Sequence, residues 1–261
     1  MITKAQSEAA DASYGDATKF VLANGTYDLG HGEFTEGLPP GNTSVIRYPI
    51  TYDEAARCPV FDRVMDGWFS ASNAMYKSVV MEMFGICMLR IGGKQKMYVH
   101  HGSGSNGKST CLLMLRHLLG AQNTAFMGLQ ALGEHQFVGD MLRGKLANIG
   151  DGDCVGYPMR TKLIEAVLDG GSITCRGQYG KPRAYRPFCT MVFAFNDAPP
   201  ELVIPPYKVQ LVPWTNKFEP GDTEIATLPF NEEERSGLFN RLVPEMRRLL
   251  PDGGQSFQSD D

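Results

Sequence analysis

The 261 residues carry no excess of positive charge: 25 Lys and Arg stand against 29 Asp and Glu, a net charge of −4. That excludes a globally basic nucleic-acid coat, though not a local basic groove. The six cysteines (Cys58, Cys87, Cys111, Cys154, Cys175, Cys189) include no C-x-x-C pair and no zinc spacing. They read as isolated thiols in a reducing compartment. No signal-peptide pattern opens the chain, and the longest apolar run, around Val79 to Leu89, is interrupted by Glu82. Such a run is too short to span a bilayer. A soluble, cytoplasmic protein with no membrane partner is therefore expected. His100-His101 is a weak metal signal, since neighbouring residues on a strand face opposite ways.

What is present is a hydrophobic content of 43%, enough for one large α/β domain or a core domain with a smaller extension. Its most specific stretch is Gly102-Ser103-Gly104-Ser105-Asn106-Gly107-Lys108-Ser109-Thr110. The spacing is G-x-x-x-x-G-K-[ST], with a strand-like run (Met97, Tyr98, Val99) before it and a helix-like run (Cys111 to Leu119) after it. In a Walker A loop of this kind, backbone N–H groups and the helix start cradle phosphate oxygens. Lys108 is placed to neutralise the β/γ-phosphates and the Ser109 hydroxyl to enter a Mg²⁺ sphere. The expected ligands are ATP and Mg²⁺.

Turn residues divide the rest of the chain. Residues 1–50 read as short strands and turns, and 51–93 as a helical subdomain with helices over Ala55–Phe69 and Met75–Leu89. The second helix carries Met75, Val79, Met83, Phe84, Cys87 and Met88 along an apolar side. An ATPase core is expected over 94–230, with a C-terminal helix and tail over 231–261. Within the core, Lys145–Ile149, Cys189–Phe195 and Val209–Pro213 read as strands, and Thr161–Leu168 as a helix. Ile173–Arg176 and Arg183–Phe188 flank a hairpin or extended loop. Apolar strands alternating with helices predict a mostly parallel sheet covered on both faces.

A phosphate loop needs an acidic group at the end of another strand. Asp151 is that candidate and Asp153 the nearby second carboxylate, although Asp-Gly-Asp is also a common turn. Asn196 ends the Met191–Phe195 strand. Open parallel sheets place ligands at such carboxyl ends, where an amide can orient water or sense a γ-phosphate.

Taken in order, these segments resemble the superfamily 3 helicases, specifically the C-terminal region of poxvirus D5-type and phage/plasmid P4-type primase-helicases. The resemblance rests on Asn24–Leu29, Tyr52–Pro59, Phe84-Gly85, the Asn106–Thr110 loop ending, Gly144–Asp151, Asp169–Thr174 followed by Lys181, Phe193–Pro199 and Ser236–Asn240. It implies an AAA+-like three-layer P-loop NTPase core and a homo-oligomeric ring, a hexamer, with ATP between subunits. It further implies a Walker B role for Asp151, sensor 1 for Asn196, and a basic hairpin in a DNA channel. Lys181 is the hairpin residue, with Arg176, Tyr179 and Arg183 beside it for single-stranded or forked DNA. No recognisable primase region precedes residue 20; a primase is expected either as a partner on another chain or not at all.

Two departures stand out. Gly152 separates Asp151 from Asp153 where the family pairs its acidic residues, leaving Asp153 or Glu134 to position water. The Arg-Arg pair expected after Asn196 is replaced by Ile204–Val209, in which Lys208 supplies one charge and no bidentate fork. Arg183, Arg186 and Arg235 are alternative trans-acting groups. The leading expectation is an ATP-dependent DNA helicase or translocase of a viral, phage or plasmid-like replicon. The alternatives are a ring-forming assembly or remodelling protein with weak ATPase activity, and a small-molecule kinase.

Overall fold

The computed structural model describes residues 16–37, 46–70, 73–93, 96–134, 138–152, 162–175, 183–196, 204–218 and 230–250. An antiparallel meander comes first: β1 (Lys19–Val21), β2 (Gly25–Asp28) and β3 (Glu33–Glu36). Helices α1 (Pro59–Trp68) and α2 (Met75–Met88) follow. The α1 helix starts at Pro59, four residues later than the pattern from Ala55 predicts. Proline disfavours helical backbone in the residue before it and suits the first helical position; Cys58 accordingly sits at φ −125° and ψ 60°.

Five parallel strands then build the central sheet: β4 (Met97–His101), β5 (Thr124–Ala125), β6 (Ala147–Asp151), β9 (Thr190–Phe195) and β10 (Val209–Pro213). Their spatial order is β10-β4-β9-β6-β5. The connections contribute α3 (Lys108–Leu119), α4 (Leu129–Glu134), α5 (Val138–Leu142) and α6 (Lys162–Leu168). A separate antiparallel pair, β7 (Ile173–Cys175) with β8 (Arg183–Tyr185), lies between α6 and β9. The long α7 (Glu232–Leu249) closes the order.

Side-chain alternation along the strands sorts the interior into two cores. Tyr98, Ile149, Val192 and Val212 face one core together with α2, α3 and α7. Met97, Val99, Met191 and Phe193 face the other, with residues of α4, α5 and α6. Strands buried on both faces read as continuous apolar runs, and β9, Thr-Met-Val-Phe-Ala-Phe, is such a run. Within α2, Met83, Phe84, Cys87 and Met88 are buried, whereas Met75 is 67% exposed and lies outside the stripe assigned to it. Cys58, Cys87, Cys111 and Cys189 are free and buried. No helix among the described residues is long and apolar enough to cross a membrane.

The two ends of the described chain meet. Phe239 of α7 packs against Tyr27 at 5.2 Å and Phe20 at 5.9 Å between ring centres. The Asn231 side chain caps α7 by accepting from the Glu234 N–H at 3.0 Å. Glu234, itself buried, reaches α1 instead: its carboxylate accepts from Val60 N–H at 2.9 Å and Phe61 N–H at 3.1 Å. A carboxylate suits these otherwise unpaired N–H groups and the positive end of the helix dipole. Glu234→Ala leaves both donors without an acceptor, so unfolding free energy is expected to fall by about 1–3 kcal/mol. Urea denaturation measures this, and Glu234→Gln, which keeps an acceptor, should lose less.

Candidate functional site

The loop from Gly102 to Gly107 runs between the end of β4 and the start of α3. Its backbone turns through positive φ at Gly104 (87°), Ser105 (48°) and Gly107 (91°). Ser105 is the one described non-glycine residue in that region. Close approach also demands glycine: a Cβ on Gly102 would lie 2.4 Å from the Trp214 carbonyl oxygen, and one on Gly107 2.1 Å from Trp68 Nε1. Gly104, by contrast, faces open space. Among the described residues, no hydrogen bond engages the N–H groups of Ser105, Asn106 or Gly107. Unpaired N–H groups in such a turn, continued by the first turn of a helix, make an anion-binding concavity.

Lys108 is buried within this loop. Its Nζ donates to the Gly102 carbonyl at 2.7 Å and to Asn106 Oδ1 at 2.8 Å. Burial holds its pKa below the ordinary lysine value. Ser109, the next residue, is exposed at the mouth.

Strand order brings the other polar termini to the same place. Because β9 lies between β4 and β6, the β9 tip falls between the glycine loop and the β6 tip. The register sets His101 opposite Phe195 and Asp151 opposite Ala194, so Asn196 projects one residue further. Lys108, Ser109, Asp151 and Asn196 all line one cleft of ≈ 340 Å³. Asp151 and Asn196 are exposed to it. Two hydroxyl- or carboxylate-bearing residues, Ser109 and Asp151, lining one cleft with Lys108, form a donor set that fits a hard divalent cation. Among the described residues there is no separate cluster of His, Cys, Asp and Glu suited to a metal. The histidine pair divides, His100 being fully buried and His101 half-buried.

Arg116 and Phe126 are among the cleft residues missing from the sequence-based set. Arg116 stands on α3 at the helical spacing Ser109, Leu112, Arg116, all of which line the cleft. That i, i+3, i+7 stripe is a signal available in the sequence. Phe126 is 71% exposed and lines the outer wall. It follows a two-residue strand, too short to show periodicity. The chain there crosses β6 so closely that a Cβ on Gly150 would lie 2.0 Å from the Met127 carbonyl oxygen, and the buried Asn148 amide pairs with both Met127 backbone groups at 3.0 Å.

The remaining candidates lie elsewhere. Asp153, Arg176, Tyr179 and Lys181 fall outside the described residues, as does the side chain of Glu134. Arg183 is exposed at the end of β8 nearest residues 176–182, and Arg186 is exposed just beyond that strand. Lys208 precedes Val209, which pairs with Met97, so it sits at the amino end of the sheet. The cleft is at the carboxyl end, roughly 16 Å of strand away. Lys208 forms an ion pair with Asp169. Arg235 donates through Nε to the Pro49 carbonyl at 3.0 Å. None of these four basic residues lines the cleft of its own chain.

Behind the loop, Trp214 Nε1 donates to His100 Nδ1 at 2.9 Å, which leaves the His100 proton on Nε2, 3.0 Å from Met83 Sδ. Burial first, then the nearby Lys108 charge, depresses the His100 pKa to about 3. The folded state therefore refuses a proton that an unfolded histidine accepts near pH 6.5. Its contribution to stability is complete above pH 6.5 and is lost progressively as pH falls toward 3, with a limiting slope of about 1.4 kcal/mol per pH unit. Urea denaturation between pH 7.5 and 4.5 should show a shallower acid loss for His100→Gln than for wild type.

Residues 100–206 match the model of a family of unknown function, DUF5906. No curated protein matches the chain. Among solved structures, the apo A form of the NrS-1 C terminal region is similar, with a TM-score of 0.59 and 10% identity over 88% of this chain and 55% of that one. A second structure of that region gives 0.56 and 10% identity over 76% and 50%. The chain thus spans about half the length of the solved chains it matches, and the likeness is one of fold, which in this chain is α/β on a five-stranded parallel sheet.

Proposed function

We propose that the chain is the ATPase core of a superfamily 3-type DNA helicase or translocase, acting in replication of a viral, phage or plasmid-like element. One observation carries the reading: Lys108, which directly follows the glycine loop, lines one cleft with Ser109, Asp151 and Asn196. Loop N–H groups bind the phosphates of ATP, and Lys108 neutralises the charge that develops at the terminal one. Ser109 and Asp151 would hold Mg²⁺, which would supply further neutralisation of phosphate charge. Asn196 orients the attacking water from the middle of the row. The β7–β8 pair carries Arg183 and flanks Arg176, Tyr179 and Lys181, the set assigned to the DNA backbone and bases. A homo-oligomeric ring, a hexamer, would set a neighbour's basic group against each cleft.

A second reading, a ring-forming assembly protein with weak turnover, is favoured by one feature. Lys208, the residue in place of the family's arginine pair, is engaged by Asp169. Steady-state ATP hydrolysis with and without single-stranded DNA separates the two. DNA-stimulated turnover supports the helicase reading. Nucleotide binding with negligible turnover under both conditions favours the second.

A further inference from the structure

The chain contains two tryptophans, and both lie against the glycine loop. Trp68, at the end of α1, is fully buried; its Nε1 has no hydrogen-bond partner among the described residues. Its indole edge occupies the space that a side chain at Gly107 would need. Trp214, just past β10, packs on Trp68 at 5.2 Å and on Phe69 at 4.9 Å between ring centres. Residues 214–218 join the loop to α1 by further bonds. Phe218 N–H donates to the Ser105 carbonyl at 2.8 Å, Asn216 Nδ2 to the Gly67 carbonyl at 2.9 Å, and Asn73 Nδ2 to Thr215 Oγ1 at 3.1 Å. The loop is thus strapped at Ser105 and Asn106 to a segment that α1 also holds.

Asn106 is the link with chemical consequence. Its buried amide accepts from Lys108 Nζ at 2.8 Å and donates through Nδ2 to the Trp214 carbonyl at 3.1 Å. The amide cannot be turned over, because that would set its NH₂ against the ammonium. Of the three donors a lysine ammonium carries, two are spent inside the loop. The third is free for a phosphate oxygen, and an ammonium drawn toward that oxygen pulls on Asn106 through the bond they share. The other end of that amide then shifts against Trp214, whose ring is fixed by His100.

We infer that Asn106 is a positioning residue for Lys108, and that through it the two-tryptophan strap registers whether the loop holds a phosphate. This rests on the proposed nucleotide reading and adds to it a mechanical link between the loop and α1. The link converts occupancy of the cleft into a change in the layer formed by α1 and residues 214–218.

Intrinsic tryptophan emission of the full chain, titrated with Mg²⁺ and ATP, tests the link, with equilibrium dialysis measuring binding independently. Wild type should show a saturable emission change that follows the dialysis isotherm. Trp68→Phe isolates Trp214 and should retain the response. Asn106→Ala on that background should weaken binding by about tenfold or more, the loss of one charged hydrogen bond, and abolish the response even at saturation. Asn106→Asp retains an acceptor for Lys108 and cannot donate to Trp214; it too should lose the response, and it serves where the alanine variant does not fold. Wild-type binding without an emission change overturns the inference and leaves the nucleotide reading intact. So does a full response in either Asn106 variant. Absence of binding by dialysis overturns both.

Discussion

Lys108→Ala is expected to reduce kcat/KM for ATP hydrolysis by at least about 100-fold, the scale on which a preorganised charge at a phosphoryl group contributes. The ammonium is held in place by the fold itself, between the Gly102 carbonyl and Asn106 Oδ1. Little reorganisation is therefore required when negative charge develops at the loop. The same contacts limit the structural damage. Truncation leaves Asn106 Oδ1 unpaired, a cost of about 1–3 kcal/mol, while the Gly102 carbonyl still accepts from the Gly104 N–H at 2.9 Å. Cys111, Met114, Leu115, Leu118 and Leu119 still anchor α3 in the core. Activity should disappear from a chain that remains folded by circular dichroism. Lys108→Arg should not restore it, because a planar guanidinium cannot occupy the niche of a compact ammonium.

Asp151→Asn is the second large effect. The side chain is exposed at the last residue of β6, and among the described residues it makes no hydrogen bond or ion pair. The substitution is isosteric, so unfolding free energy should change by no more than about 0.5 kcal/mol. Turnover should fall by about 100-fold or more if, as proposed, the Asp151 carboxylate lining the same cleft as Ser109 holds the divalent cation. Nucleotide binding without divalent cation should be unaffected or slightly tighter, because a negative charge leaves the site. Activity against Mg²⁺ concentration and paired denaturation curves measure both halves of this expectation.

Much of this arrangement is legible in the amino-acid sequence. Glycine spacing locates the loop, and apolar runs locate β4, β6, β9 and β10, because parallel strands buried on both faces leave a continuous hydrophobic signal. The start of α1 is misplaced by a periodicity that runs from Ala55 and ignores the constraint that Pro59 puts on Cys58. Strand order is not legible: only pairing across 40 or more residues shows that β9 enters between β4 and β6 and so carries Asn196 to the middle of the cleft. The same holds for Glu234, whose partners at Val60 and Phe61 are 174 and 173 residues away. Nothing local in a helix distinguishes that buried carboxylate from exposed Glu232 and Glu233 beside it. Trp214 and Trp68 carry no local signal in the sequence; topology alone sets them against one another beside the loop. Lys208 is a candidate by its position in the motif series; its strand register puts it at the far end of the sheet from this chain's cleft.

The central claim is that the glycine loop, Asp151 and Asn196 compose one nucleotide site. Equilibrium binding of ATP in the presence of Mg²⁺, measured in parallel for wild type and Lys108→Ala, tests it most directly. The structure predicts saturable binding at one site per chain in wild type and a loss of at least about tenfold in affinity in the variant. No binding to the folded wild-type chain, or equal affinity in the two proteins, would contradict it.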